Sequence, residues 1–191
     1  MSDVHRFTLG GIADTTLGIV LAPDHQDPML PATRDRSVYV PGRNGRIEFE
    51  ADLAERLIVL RCALVDASTT AALQAAIRAV SAVLLDDDGK PTDCALVFVK
   101  ESTKTYTVRY AGRLPVQRLI GNTVGVFDLP LLAADPYAYG AEDTDSYSIT
   151  AAYQTEAISN AGAFKTPVEI TITNNGSDVT GFTLICRQLK S

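Results

Sequence analysis

Residues 103–110, TKTYTVRY, alternate from one side of the chain to the other. Tyr106, Val108 and Tyr110 fall on one side of an extended backbone, and Thr105, Thr107 and Arg109 on the other. A period of two belongs to a strand with one face toward a core. Upstream, Cys94 to Val99 is a second β-run, with apolar residues at both parities. Leu57 to Leu64 is a longer run of the same kind, with Arg61 and Cys62 inside it. Both predict strands packed on two faces. Downstream, Val124, Val126 and Asp128 alternate against Gly125, Phe127 and Leu129. The centre of the chain is therefore mainly β.

One stretch breaks that period. Leu73, Ile77, Val80 and Leu84 fall on a single helical face, and six alanines between residues 71 and 82 add helix propensity. Ser68 or Thr69 can cap the start. The acids Asp86, Asp87 and Asp88 oppose the helix dipole and stop it before Gly89.

Toward the N-terminus, Arg6 to Leu9 reads as a short strand closed by Gly10 and Gly11, and Asp14 to Val20 as a second short strand. Residues 22–37 carry Pro23, Pro28 and Pro31 and predict an extended arm or loop. Pro41, Gly42, Asn44 and Gly45 mark a turn between Val38 and Ile47. After Tyr139 the composition becomes acidic and polar. Residues 148–153, 168–173 and 179–185 predict strands of a small β unit, with a turn at Asn174, Asn175 and Gly176. Two or three strands are marginal alone.

The bulk numbers narrow the function. The chain has 191 residues, 46% hydrophobic, 21% charged, with a net charge of −6. That suits one main domain with a real core. No basic stripe interleaved with aromatics exists to follow a phosphate backbone, so specific nucleic-acid binding is not expected. No apolar run of eighteen residues exists, and insertion into a membrane is not expected. Residues 1–10 carry no signal-peptide core, which predicts a soluble product made in a reducing compartment. Cys62, Cys94 and Cys186 are odd in number and sit in apolar runs, and read as core thiols.

Residues with chemistry are scarce. His5 and His25 lack a second metal-type ligand at useful spacing. Asp86 to Gly89 resembles the start of a calcium loop, but Ala95 stands where the closing glutamate belongs. No phosphate loop and no nucleophile elbow occur. No catalytic residue, cofactor or metal site is expected, and the chain does not read as an enzyme.

Several pieces in order resemble one family, the distal tail proteins of long non-contractile-tailed (siphovirus) phages and prophages. Residues 40–45, VPGRNG, resemble its "I-P-G-R-x-G" turn. The helix lies where the family carries its one substantial helix. Residues 106–112, YTVRYAG, resemble the strand that follows. Residues 127–140, FDLPLLAADPYAYG, resemble most closely the apolar strand and Asp-Pro-Tyr that end its ring-forming domain. Gly162, Pro167 and residues 168–173 resemble the opening of its C-terminal β-sandwich.

The resemblance implies a mainly β (α+β) fold. Residues 1–140 would form a split-barrel or β-sandwich-like domain with one main helix. Residues 141–191 would form a small, reduced unit like the start of a galectin-like or carbohydrate-binding domain. It implies a structural virion protein, a hexameric ring at the distal end of the tail tube, in the baseplate or tail tip. The partners implied are other copies, the tube protein, the hub protein and receptor-binding proteins. The protein would be made in the bacterial host cytoplasm. Assembly contacts are expected at Pro23, Pro28, Pro31, Pro41, Gly42, Arg43, Gly45, Asp135, Pro136 and Tyr137. The alternative is a carbohydrate-binding or adhesion module, suggested by Tyr137, Tyr139, Tyr147 and Tyr153.

Overall fold

The structure is a computed structural model. It describes residues 6–22, 30–64, 69–119, 124–150, 153–159, 162, 164, 168–176 and 181–185. The expectations at His5, Pro23, His25, Pro28, Ser68, Pro167 and Cys186 lie outside these residues. The chain divides into two units, residues 1–142 and 143–191.

The first unit is mainly β with one principal helix. Its strands are β1 Phe7–Leu9, β2 Ile12–Ala13, β3 Ile19–Leu21, β4 Thr33–Arg34, β5 Ser37–Val38, β6 Ile47–Glu48, β7 Asp52–Leu53 and β8 Arg56–Leu64. After the helix α1 Thr70–Leu84 come β9 Asp93–Phe98, β10 Tyr106–Tyr110, β11 Gln117–Leu119 and β12 Val124–Ala133. The main sheet has the order β2-β1-β9-β10-β12-β8-β3, with β11 beside β12. Every pairing is antiparallel. The longest ladder joins β8 to β12 from Leu64↔Gly125 to Arg56↔Ala133.

Chain connectivity forces this sheet to curl. Laid flat, the outer strands β2 and β3 would stand about 29 Å apart at the normal strand spacing. Only Asp14 to Gly18 join them, a reach of about 21 Å even fully extended. That segment is a compact turn, with Ile19 N–H donating to the Asp14 carbonyl at 2.9 Å. The expectation of a strand from Asp14 onward is corrected here. The Asp14 carboxylate accepts from the Thr15 N–H, and Thr16 and Leu17 donate back to the Ala13 carbonyl, so extension resumes only at Ile19.

The curl turns one face of each strand inward. Phe7, Leu9, Ile19, Ile58, Leu60, Cys62, Leu96, Val108, Leu129 and Leu131 are among the buried core. α1 lies over one end of the curl. Leu73, Val80 and Leu84 are buried and Ile77 is half-buried against the core, as the helical spacing predicts. Thr69 caps it, its hydroxyl accepting from Ala72 N–H at 3.1 Å. Asp86 then accepts from the N–H groups of Asp88 and Lys90 and turns the chain toward β9. At the other end of the curl, Arg56 stacks on Tyr106 at 5.2 Å, and Tyr106 meets Phe98 edge-on.

Two expectations about faces are corrected. β8 and β9 are buried on one face only within this chain. Ile58, Leu60, Cys62 and Leu64 point inward, while Leu57 is 53% and Val59 38% exposed. On β9, Leu96 and Phe98 are buried and Ala95 is exposed. The cause is the curl: a single sheet wrapped on its own core buries one face of each strand.

The second unit also departs from expectation. None of its described residues is in a strand, although strands were expected over 148–153, 168–173 and 179–185. Val168, Ile170 and Ile172 alternate as a strand should but are exposed. Alternation sets side-chain direction; the ladder itself needs a partner strand to supply its hydrogen bonds.

Candidate assembly surface

Residues 30–55 form the most exposed ordered feature of the first unit. β4 pairs with β7 and β5 with β6, each a two-stranded sheet of its own, separate from the main sheet. Between these rungs, Phe49 N–H donates to the Arg36 carbonyl at 2.8 Å, and at the base of the arm Ala54 N–H donates to the Ala32 carbonyl at 2.8 Å. The result is one long hairpin. The register changes by one residue along it, from Arg34↔Asp52 to Ser37↔Glu48. Asp35 and Arg36 thus face the three residues Phe49, Glu50 and Ala51, which is a β-bulge and adds local twist. The expectation of an arm over 22–37 followed by an independent turn is corrected: residues 30–38 and 47–53 are the two sides of a single arm.

Two cross-strand ion pairs and one along a single strand brace the arm. Arg34 meets Glu55 at 3.5 Å, Arg36 pairs with Asp52, and Arg46 with Glu48. All are exposed, and each such pair contributes little. None of residues 30–55 is buried. Tyr39 is 73% exposed and Phe49 57%, with Val38, Val40 and Leu53 also exposed. An isolated two-stranded hairpin is marginal in water. Exposed aromatic and branched side chains of this kind are common at interaction sites, which makes the arm the candidate surface.

The expected contact residues fall on two elements. Pro41, Gly42, Arg43 and Gly45 come together at the exposed hairpin tip, where Arg43 N–H donates to the Val40 carbonyl at 3.1 Å. Gly42 and Gly45 have φ of 80° and 82°, which explains glycine at both. Pro31 is half-buried at the base of the arm. Asp135, Pro136 and Tyr137 follow β12 instead. Asp135 accepts from the Tyr137 N–H at 3.1 Å and from the Tyr139 hydroxyl at 2.5 Å, and Thr105 and Tyr139 exchange backbone bonds. This folds the end of the unit back beside the start of β10. Exposed Tyr39 and Phe49, and the outward Leu57 and Val59, were missed as contact candidates. Their signal was present in the sequence as apolar residues at the second parity of two strands.

Among the described residues, no group of three or more His, Cys, Asp or Glu side chains is placed to hold a metal ion. No helix among them is long and apolar enough to cross a membrane. Cys62 is buried, and burial, then the nearby carboxylates of Asp128 and Asp14, pushes its thiol up to about 12. Cys94 is half-buried, and burial and Asp93 push its thiol up as well. Both are poor nucleophiles in these surroundings.

No protein-family model matches the sequence, and no curated protein matches it. The fold does match solved structures. One is the crystal structure of SPP1 Dit (gp 19.1), described as a paradigm of the hub adsorption apparatus in phages that infect Gram-positive hosts. The TM-score is 0.60 at 19% identity, over 72% of this chain and 53% of that one. The chain thus spans about half the length of that protein and shares its fold over most of its own.

Proposed function

We propose that this chain is a structural building block of the tail tip of a long-tailed, non-contractile phage. Copies join in a ring at the end of the tail tube, which the resemblance makes a hexamer. One face of the ring meets the tube protein and the other the hub protein. The second unit, residues 143–191, carries receptor-binding proteins. The chain acts by assembly and not by catalysis.

The observation that carries this reading is the hairpin arm on a curled one-helix sheet. Among the described residues, the arm exposes Tyr39 and Phe49 and its strands pair only with each other. An arm of this kind is stabilised when another molecule covers it. When each copy reaches to the next in the same head-to-tail way, the assembly closes into a ring if the rotation permits. The likeness to a phage hub protein fits the same role.

Light scattering over a range of concentrations, with negative-stain imaging of the heaviest species, tests it. Six times 20.5 kDa is about 123 kDa. A species of that mass with a central hole is the expected result. A monomer at every concentration, which also fails to add to purified tail tubes, would overturn it.

A further inference from the structure

The tip of the hairpin arm carries two neighbouring residues that can react with each other. Asparagine followed by glycine occurs twice in the chain, at Asn44–Gly45 and at Asn175–Gly176. In such a pair the glycine nitrogen can attack the asparagine side-chain carbonyl, and the glycine has no Cβ to shield it. All four residues are exposed, so access does not separate the two pairs. Hydrogen bonding does.

At the tip, Arg43 N–H closes the hydrogen-bonded turn on the Val40 carbonyl, and Asn44 and Gly45 lie past it. Among the described residues, neither the Gly45 N–H nor the Asn44 side chain has a hydrogen-bond partner. A Cβ at Gly45 would meet nothing within 4 Å, so the Asn44 side chain has room to swing onto the nitrogen. Arg43 and Arg46 flank the pair, and positive charge favours a nitrogen that must lose its proton to attack. Glu48 offsets part of the charge of Arg46, while Arg43 has no ion pair among the described residues. The second pair is built differently. Gly176 N–H donates to Asn174 Oδ1 at 3.0 Å, so the attacking nitrogen is already held. The same oxygen would stand 3.6 Å from a Cβ at Gly176, which leaves less room there.

We propose that Asn44 is a self-modification site, deamidating through a cyclic imide with Gly45 ahead of Asn175. The Gly45 nitrogen gives its proton to solvent hydroxide and forms a bond to Asn44 Cγ. The Cγ–Nδ2 bond breaks, and Nδ2 leaves as ammonia with a proton from water. A second water then opens the imide. Attack at Cγ yields aspartate; attack at the backbone carbonyl yields isoaspartate and routes the main chain through one extra carbon. Nothing is oxidised or reduced. Residues 43–46 carry two arginines and no acid, and either product sets a carboxylate between them. The site thus changes the charge of the arm tip, and by one route its backbone. The assignment goes beyond the assembly reading and does not depend on it.

The test ages the full chain at mildly alkaline pH and follows both pairs by peptide mass spectrometry. In the native chain Asn44 converts about fivefold faster than Asn175, the factor that one ordinary hydrogen bond supplies. In denaturant the two rates converge. Asn174→Ala, at an exposed position, releases the Gly176 nitrogen and raises the native rate at Asn175 by a similar factor. Equal native rates, a faster Asn175, or a difference that survives denaturant would overturn the proposal. So would an Asn174→Ala chain in which Asn175 converts no faster than in the parent.

Discussion

Arg6 reaches the buried carboxylate of Asp14 with two nitrogens, Nε and Nη2 each 3.3 Å from Oδ1. Asp14 is 2% exposed and is the one buried charged side chain among the described residues. Its Oδ1 also accepts from the Thr15 N–H at 2.8 Å, and Arg6 Nη2 donates to the Thr15 hydroxyl at 2.9 Å. The pair sits at the turn that joins the two ends of the curled sheet, so a local cluster holds a long-range closure.

Asp14→Ala is expected to destabilise the first unit by about 2–4 kcal/mol, since it strips several donors of one acceptor. Asp14→Asn keeps the size and loses the charge, and costs less. Chemical denaturation of both variants checks this. Equal stability of Asp14→Ala and the parent would show that the turn closes without its carboxylate.

Two glycines separate the core from the arm. A Cβ at Gly125 would stand 2.7 Å from Val116 Cγ1, with Leu73 and Leu64 behind it. Gly125→Ala is expected to cost about 1–3 kcal/mol through overpacking. At Gly42 a Cβ meets nothing within 4 Å, but φ is 80°. Gly42→Val strains the tip by about 1 kcal/mol or more. Thermal melting drops more for Gly125→Ala than for Gly42→Val, while self-association changes mainly in the latter. The reverse pattern would place the arm inside the folding core.

Cys62 is expected to resist alkylation in the folded protein. With its thiol at about 12, the thiolate at pH 8 is roughly one molecule in ten thousand. Native alkylation followed by peptide mass spectrometry should label Cys94 well before Cys62, and denaturant should remove the difference. Equal native rates would mean that the inner face of β8 opens readily.

Tyr139 donates to Asp135, and that bond, with a smaller share from burial and the charge of Asp135, holds its phenol above the usual tyrosine range. Tyr147 is raised too, by burial first and then Asp145. A phenol raised on folding stabilises the fold below its unfolded value, and the contribution is lost as pH climbs through the folded one. An ultraviolet titration of the seven tyrosines should therefore show a late component, and Tyr139→Phe should shrink it. An unchanged late component would show that the Asp135 bond does not persist in solution.

Much of the first unit was legible in the residues. The alternation of Tyr106 and Val108 against Thr107 and Arg109 gave β10, and the spacing of Leu73, Val80 and Leu84 gave α1 with its Thr69 cap. Pro41, Gly42 and Gly45 gave the turn at the arm's tip. These follow from local stereochemistry: side chains alternate along a strand and recur along a helix whatever surrounds them. The union of residues 30–38 with 47–53 was hidden, because the turn chemistry names a reversal without fixing how far pairing runs back from it. The absence of strands among the described residues of the second unit was hidden as well, since Val168, Ile170 and Ile172 carry a strand's pattern with no described strand beside them.

By itself, then, the sequence determined periods, breaks and caps, and hence a mainly β chain with one helix. Only the tertiary structure decided which apolar parity of 57–64 is core and which is left outside. Both parities look alike in the chain. Burial is set by what packs across the strand, here a sheet drawn into a curl by the short turn from Asp14 to Gly18. The curl is completed by pairings between residues far apart in sequence, β3 with β8 and β1 with β9, and it leaves Leu57 and Val59 facing out.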